Sequence, residues 1–222
     1  MSNMEWVEEI EAVLFDMDGT LLDSEPLTEH AIFAFLKEHG IHEAVDGTQF
    51  HGVTWNSIAA TLKGLFPVLN HVEVASDLAS VFHHALITEE PSPILGSPDA
   101  VKASSKRLKT AVVSSSRIAS IKLVVNRLGL NAHVHQIVGA ENVQNSKPHP
   151  QCFQLAAERL GVSYERCLVF EDSIAGLTAA RAAGMHTIAI GPSSEKEPLS
   201  DLMISNYHDL PKGFFKFLGA KR

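Results

Sequence analysis

Cysteine is almost absent from this chain of 222 residues: Cys152 and Cys167 are the only two, and they form neither a Cys-x-x-Cys pair nor a metal-finger spacing. That excludes a disulfide scaffold and a thiolate metal site, and both residues read as small buried apolar groups. Long hydrophobic runs are missing as well, so nothing in the sequence approaches the length needed to cross a bilayer as a helix. The first ten residues carry Glu5, Glu8 and Glu9 where a secretory signal would place basic residues and then an apolar stretch. A soluble, cytoplasmic protein is therefore the expectation. Positive charge is scarce too, with 18 Lys and Arg against 26 Asp and Glu and a formal net charge of −8. Nucleic acids and anionic membranes select clustered cations, so neither is expected as a partner. The same deficit means that a phosphate site would have to be locally positive, through a metal ion, a few cations and helix N-termini. The 12 histidines are scattered; pairs such as His83/His84 and His133/His135 lack a helical i, i+4 arrangement with a nearby carboxylate and read as surface or satisfied core residues.

What is present is an alternation of short apolar strands and amphipathic helices, the mark of a parallel α/β sheet. A first strand, Ala12 to Phe15, stops at Asp16. From Ser105 onward the pattern recurs: a strand over Thr110 to Val113, a helix carrying Ile118, Ile121, Val125 and Leu128 with Gly129 as its stop, and a strand over Val134 to Val138. Pro150 opens a further helix, whose inner face is Phe153, Ala157 and Leu160 and which ends at Gly161. Cys167 to Phe170 is a strand ending on Glu171-Asp172, followed by an Ala-rich helix to Ala183, a strand over His186 to Ile190 and an edge strand at Leu202 to Ile204. Between the first strand and Ser105 the alternation fails, and Leu27, Ala31, Ala34, Phe35, Ile58, Leu62 and Leu65 recur at helical spacing. The Pro/Gly/Ser-rich stretch Pro91 to Pro98 reads as the return from this insertion. The expected architecture is a Rossmann-like parallel-sheet core over residues 1–24 and 94–222, with an all-α cap over 25–93. That cap is expected to be mobile and to cover the carboxyl edge of the sheet, with hinges near Ser24 and Pro91 to Pro98.

The strongest motif is Asp16-Met-Asp18-Gly19-Thr20, a pattern that background usage produces at about one start position in 10⁵. Two carboxylates at i, i+2 after a buried strand face the crevice where open α/β sheets bind ligands. A solvated acidic turn would not explain the apolar strand feeding into it. Adjacent anions raise each other's pKa unless a cation neutralises them, so a hard divalent ion such as Mg²⁺ is implied. Glu171-Asp172 ends another strand on the same edge; alone it would read as helix capping, but beside Asp16 and Asp18 it reads as metal-binding. Ser114, Ser115 and Ser116 stand at a strand-helix joint where hydroxyls and helix N–H groups can cradle phosphate, with Arg117 adding charge. Lys147, in a Pro-flanked turn, can fix an ammonium over a phosphate.

Together, Phe15-Asp16-Met-Asp18-Gly-Thr, Val112-Val113-Ser114, Lys147-Pro148 and Phe170-Glu171-Asp172-Ser173 resemble the four motifs of the haloacid dehalogenase-like superfamily, in its β-phosphoglucomutase and sugar-phosphatase branch. The resemblance covers nearly the whole chain. It implies Asp16 as nucleophile, Asp18 as general acid/base, Lys147 as a clamp on nucleophile and phosphoryl oxygens, and Ser114 as phosphate ligand, with Ser115 and Arg117 beside it. Mg²⁺ would be held by Asp16, the Asp18 carbonyl and Asp172, with Glu171 nearby or acting through water. The implied substrate is a small phosphorylated metabolite. A mutase is the alternative, but this chain has Thr28 where β-phosphoglucomutases offer a His, and Trp55 after Gly52-Val53-Thr54 where they offer an Arg, so hydrolysis is favoured. Dehalogenation would need neither Asp18 nor Mg²⁺, and a catalytically silent binding protein would be expected to have lost one of Asp16, Asp18, Lys147 or Asp172. His51, Trp55, Asn56 and Arg117 are the guesses for the substrate-reading surface, although Trp55 is read first as a core residue.

Overall fold

The computed structural model describes residues 4–50 and 54–221; His51, Gly52 and Val53 lie outside the described residues. In chain order the elements are β1 (Ala12–Phe15), α1 (Glu25–Glu38), α2 (Trp55–Leu65), α3 (Val74–Glu89), α4 (Ser97–Ser105), β2 (Lys109–Val113), α5 (Ile118–Arg127), β3 (Gln136–Val138), α6 (Gln151–Leu160), β4 (Cys167–Glu171), α7 (Ile174–Ala182), β5 (His186–Ile190), β6 (Leu202–Ile204) and α8 (Phe214–Phe217). The chain divides into two compact units, Met1–Leu22 with Pro93–Arg222, and Asp23–Ser92. No helix among the described residues is long and apolar enough to cross a membrane.

The first unit is built on a six-stranded, all-parallel sheet in the order β3-β2-β1-β4-β5-β6. Its strands are uninterrupted apolar runs, as expected where helices cover both faces; β1 is buried at every position. Alternate side chains Ala12, Leu14, Ala111, Val113 and Val169 pack with Phe153, Ala156 and Ala157 of α6 and Ala179 and Ala180 of α7. The small residues of α7 let that helix approach the sheet closely. By the two-residue period of a strand, Val13, Phe15, Val112 and Phe170 face the other side. The strand order reverses direction between β1 and β4, and in open α/β sheets that switch point is where ligands bind. Sequence reading placed no element on residues 97–105, which are rich in Ser and bounded by Pro and Gly; they form α4 because Gly96 takes a left-handed turn (φ 83°) and Ser97 donates a buried hydrogen bond to the Leu21 carbonyl (2.7 Å). β3 begins two residues later than the apolar pattern suggested, since the His135 ring Nδ1 takes the Thr110 amide (3.1 Å) in place of a ladder carbonyl.

Among the described residues, the second unit is helical. Its core includes Ile32, Phe35 and Leu36 of α1, Ile58 and Leu62 of α2, and Leu78 of α3, with Trp55 packed against them. The Trp55 and Phe82 rings lie 5.3 Å apart, so Trp55 belongs to this core. Asn56 is exposed. Thr28 donates to the Ser24 carbonyl within its own helix (3.4 Å).

Candidate active site

Asp16, Asp18, Glu171, Asp172, the three serines and Arg117 sit at the carboxyl ends of β1, β2 and β4 or in the loops that follow them, and Lys147 lies in the segment between β3 and α6. β1 ends at Phe15, and its next residue, Asp16, still pairs through its amide with the Phe170 carbonyl of β4 (3.0 Å). The chain then turns sharply: the amides of Leu21 and Leu22 both donate to the Met17 carbonyl (2.8 and 3.1 Å). Gly19 adopts φ +75° in that turn, and a Cβ there would lie 2.3 Å from Asp172 Oδ2. Glycine is needed on both counts, since an L side chain disfavours this conformation and would occupy the space of the Asp172 carboxylate. Gly176 in α7 plays a matching part, because a Cβ there would stand 2.0 Å from Glu171 Oε2.

Lys147 is the centre of the arrangement. Its ammonium donates to Asp16 Oδ1 (2.6 Å), to Glu171 Oε2 (2.7 Å) and to the Val113 carbonyl (3.2 Å), which uses all three of its protons. The stem lies against Phe153, with Nζ 4.9 Å from the ring centroid. Burial opposes this charge, but Asp16 and Glu171 outweigh burial and raise the Lys147 pKa, so it stays protonated. Glu171 is spoken for on both sides: besides Lys147, its Oε1 accepts the amides of Asp172 (3.1 Å) and Ser173 (3.0 Å) and the Ser173 hydroxyl (2.9 Å). Glu171, expected near the metal or acting on it through water, thus also holds Lys147 and the start of α7 while keeping an oxygen beside Asp16 and Asp172.

Asp16, Glu171 and Asp172 each bring a carboxylate oxygen within 4.8 Å of the others. One lysine therefore faces two buried acids, Asp16 and Glu171, and a half-buried third, Asp172. Burial, then the charge on Glu171, push the Asp16 pKa well up despite Lys147, and the same two causes, in that order, raise Asp172. Thr20 donates to Asp172 Oδ1 (3.2 Å), and Lys196 adds a favourable charge from an ammonium held on the carbonyls of Ile190 and Gly191. An all-oxygen donor set with surplus negative charge, in a cradle kept open by Gly19, suits a hard divalent cation.

The carboxylate of Asp18 lies apart from this cluster. Its Oδ2 accepts the hydroxyls of Ser114 (3.3 Å) and Ser116 (2.9 Å), and the Ser116 amide donates to Ser114 Oγ (3.0 Å). Ser115 makes no hydrogen bond among the described residues, so its amide and hydroxyl are open to a ligand. The α5 N-terminus is less open than the sequence implied, because the Glu141 carboxylate already takes the Ile118 amide (2.9 Å). Arg117 is the N-cap residue of that helix and half-buried. Ser116, expected in the phosphate cradle, instead donates its hydroxyl to Asp18, and Thr20 of the acidic motif donates to Asp172; Lys196 and Tyr207 carry no local signal in the sequence, for the fold alone brings them to this edge.

Residues 10–184 match the family model described as haloacid dehalogenase-like hydrolase. The chain is 32% identical over 190 residues to the fructose-1-phosphate phosphatase YqaB of Escherichia coli, covering 82% of this chain and 97% of that protein. It is 32% identical over 186 residues to a phosphorylated carbohydrates phosphatase of Thermotoga maritima, covering 81% and 84%. In fold it is similar to CbbY of Rhodobacter sphaeroides, solved in complex with phosphate, with a TM-score of 0.78 at 23% identity over 90% of this chain and 96% of that one. With a family model spanning residues 10–184 and a relative 32% identical over 97% of its own length, the chain belongs to the haloacid dehalogenase-like hydrolases.

Proposed function

We propose that the protein is a Mg²⁺-dependent phosphatase that hydrolyses a small sugar or polyol phosphate through an aspartyl-phosphate on Asp16. The observation that carries this reading is the Lys147 ammonium shared between Asp16 and Glu171 beside an Asp18 carboxylate steered by two serine hydroxyls. A carboxylate at the mouth of a parallel sheet, pinned by a buried lysine, is a nucleophile with its partner charge in place. Its neighbour on the same turn, Asp18, with its carboxylate held by the Ser114 and Ser116 hydroxyls, is placed to move protons.

In the first step an Asp16 oxygen attacks phosphorus and the ester oxygen leaves, taking its proton from Asp18. Lys147 offsets charge on the equatorial phosphoryl oxygens, and the Ser114 and Ser115 hydroxyls with the Ser115 amide bind the same group, Arg117 standing at its periphery. In the second step water attacks the phosphorus of the aspartyl-phosphate while Asp18, now a carboxylate, takes a proton from it; the Asp16 oxygen–phosphorus bond breaks, and inorganic phosphate leaves with Asp16 restored as a carboxylate. Asp16, Asp172 and the Asp18 carbonyl would hold Mg²⁺, which neutralises the phosphoryl group and lowers the pKa of the raised carboxylates. The sugar or polyol assignment is supported by the named activities of the Escherichia coli and Thermotoga maritima relatives.

The test is a phosphate-release screen over sugar, hexitol and glycolate phosphates with Mg²⁺, run on the wild type and on Asp16→Asn. Release by the wild type and none by a folded Asp16→Asn is expected; equal release by both would refute the mechanism. The mutase alternative is checked with β-glucose 1-phosphate, Mg²⁺ and a trace of the bisphosphate, where 6-phosphate forming much faster than free phosphate would replace the hydrolase reading.

A further inference from the structure

Tyr207 is the one buried side chain among the described residues whose polar atom has no hydrogen-bond partner in the protein. Its ring packs on Phe170 (centroids 5.1 Å apart) and on Phe15 (6.4 Å). Those phenylalanines immediately precede Glu171-Asp172 and Asp16, so the phenol sits against the strand ends that carry the carboxylates, on the sheet face opposite Phe153. Its backbone is fixed there by the Tyr207 amide to the Leu95 carbonyl (3.1 Å), and only 4% of the residue is exposed. Asp16, Asp172 and Glu171 are the charges that act on the hydroxyl, after burial itself, to push its pKa up. A phenylalanine would fill this aromatic stack without burying a hydroxyl, and an unsatisfied buried hydroxyl is destabilising. Buried polar groups that lack a protein partner are ordinarily met by an ordered water with several polar neighbours.

We propose that Tyr207 is a positioning residue of the metal site, its hydroxyl holding a buried water that hydrogen-bonds the Asp16 and Asp172 carboxylates from beneath the sheet edge. The phenol O–H donates to the water, and the water's two protons go to carboxylate oxygens. Each acid is thereby turned toward the cation from the side away from Lys147. Outer-shell partners of this kind change metal affinity by about 10–100-fold when removed. The inference rests on the Mg²⁺-dependent reading above, and its test is separable from that reading because binding is measured without substrate.

The experiment is Tyr207→Phe, with Mg²⁺ binding followed by calorimetry, stability by urea denaturation, and activity as a function of Mg²⁺ concentration. A Kd for Mg²⁺ weaker by about tenfold, no gain in stability, and activity restored at correspondingly higher Mg²⁺ are expected. A Kd within about twofold of wild type together with equal or greater stability would show the hydroxyl to be idle and overturn the proposal. Should the variant fail to fold, a high-resolution crystal structure of the Mg²⁺-loaded wild type decides: a water within hydrogen-bond distance of Tyr207 Oη and an Asp16 or Asp172 oxygen supports the proposal, and a dry hydroxyl refutes it. Wild-type protein that binds Mg²⁺ but releases no phosphate from any substrate would refute the phosphatase reading and leave the role of Tyr207 standing.

Discussion

Replacing Lys147 by Met keeps the stem that lies against Phe153 and deletes only the charge. Two carboxylates, Asp16 and Glu171, lose a partner at 2.6 and 2.7 Å in a site where the lysine side chain is 6% exposed. Removing one member of a buried ion pair costs about 3–5 kcal/mol, because the other is left uncompensated. With two acids on one cation the upper end applies, so metal-free Lys147→Met should be less stable than wild type by about 5 kcal/mol at pH 7. For a chain of this length that corresponds to a fall in Tm of about 10–20 °C. The loss should shrink as pH falls and Asp16, whose pKa burial and the Glu171 charge already push up, takes up a proton, and shrink again when Mg²⁺ supplies the missing charge. Turnover should drop by about 10²–10³-fold, the usual cost of removing one preorganised donor to a transition state. Arg117→Ala, at the edge of the site, should lose less. Thermal scans at pH 5 and pH 7, with and without Mg²⁺, and phosphate-release kinetics test all of this. A Tm shift under about 3 °C at pH 7 in the absence of metal, or a larger loss of kcat in Arg117→Ala, would show that the cations have been assigned wrongly.

Chelation should abolish phosphate release and added Mg²⁺ restore it, because Asp16, Asp172 and a phosphate cannot share the site as bare anions; full activity in excess chelator would refute this. Gly19→Ala should be destabilised by about 1–3 kcal/mol in urea denaturation and bind Mg²⁺ more weakly, since φ +75° and the 2.3 Å approach to Asp172 Oδ2 both oppose a Cβ; wild-type Mg²⁺ affinity would argue against the cradle. Asp201 is partly buried, which raises its pKa, but hydrogen bonds from His186 and the Thr187 amide and the charge of Arg181 lower it overall. A lowered folded-state pKa gives stability that is present above the unfolded value of about 4 and lost as pH falls through the folded one. Asp201→Asn should therefore be less stable by roughly 1 kcal/mol at pH 7 and indistinguishable from wild type near pH 2, as read from denaturation curves at both pH values; a loss that persists at pH 2 would refute the linkage.

The local sequence carried the class of fold and most of the chemistry. Strand runs such as Ala12 to Phe15 and Cys167 to Phe170 are apolar because both faces of a parallel sheet are covered, and their abrupt ends at Asp16 and at Glu171-Asp172 mark the ligand edge in any arrangement of the strands. Glycine and proline at helix ends fixed the limits of α5 and α6. Periodicity could not see α4, whose buried side chains include small ones such as Ala100 and Ser104 in a stretch that reads as loop. Nor could it see the limit of β3, set when a histidine ring displaced a ladder carbonyl. The strand order, the commitment of Glu171 to Lys147, the Ser116 hydroxyl on Asp18 and the placing of Tyr207 behind Phe15 and Phe170 were decided only by tertiary structure. Each depends on groups far apart in the chain, Lys147 and Asp16 being separated by 131 residues. A hydrogen bond or ion pair over such a distance leaves no periodic trace in the sequence, because its partners are chosen by the burial of their charges after the sheet has closed around them.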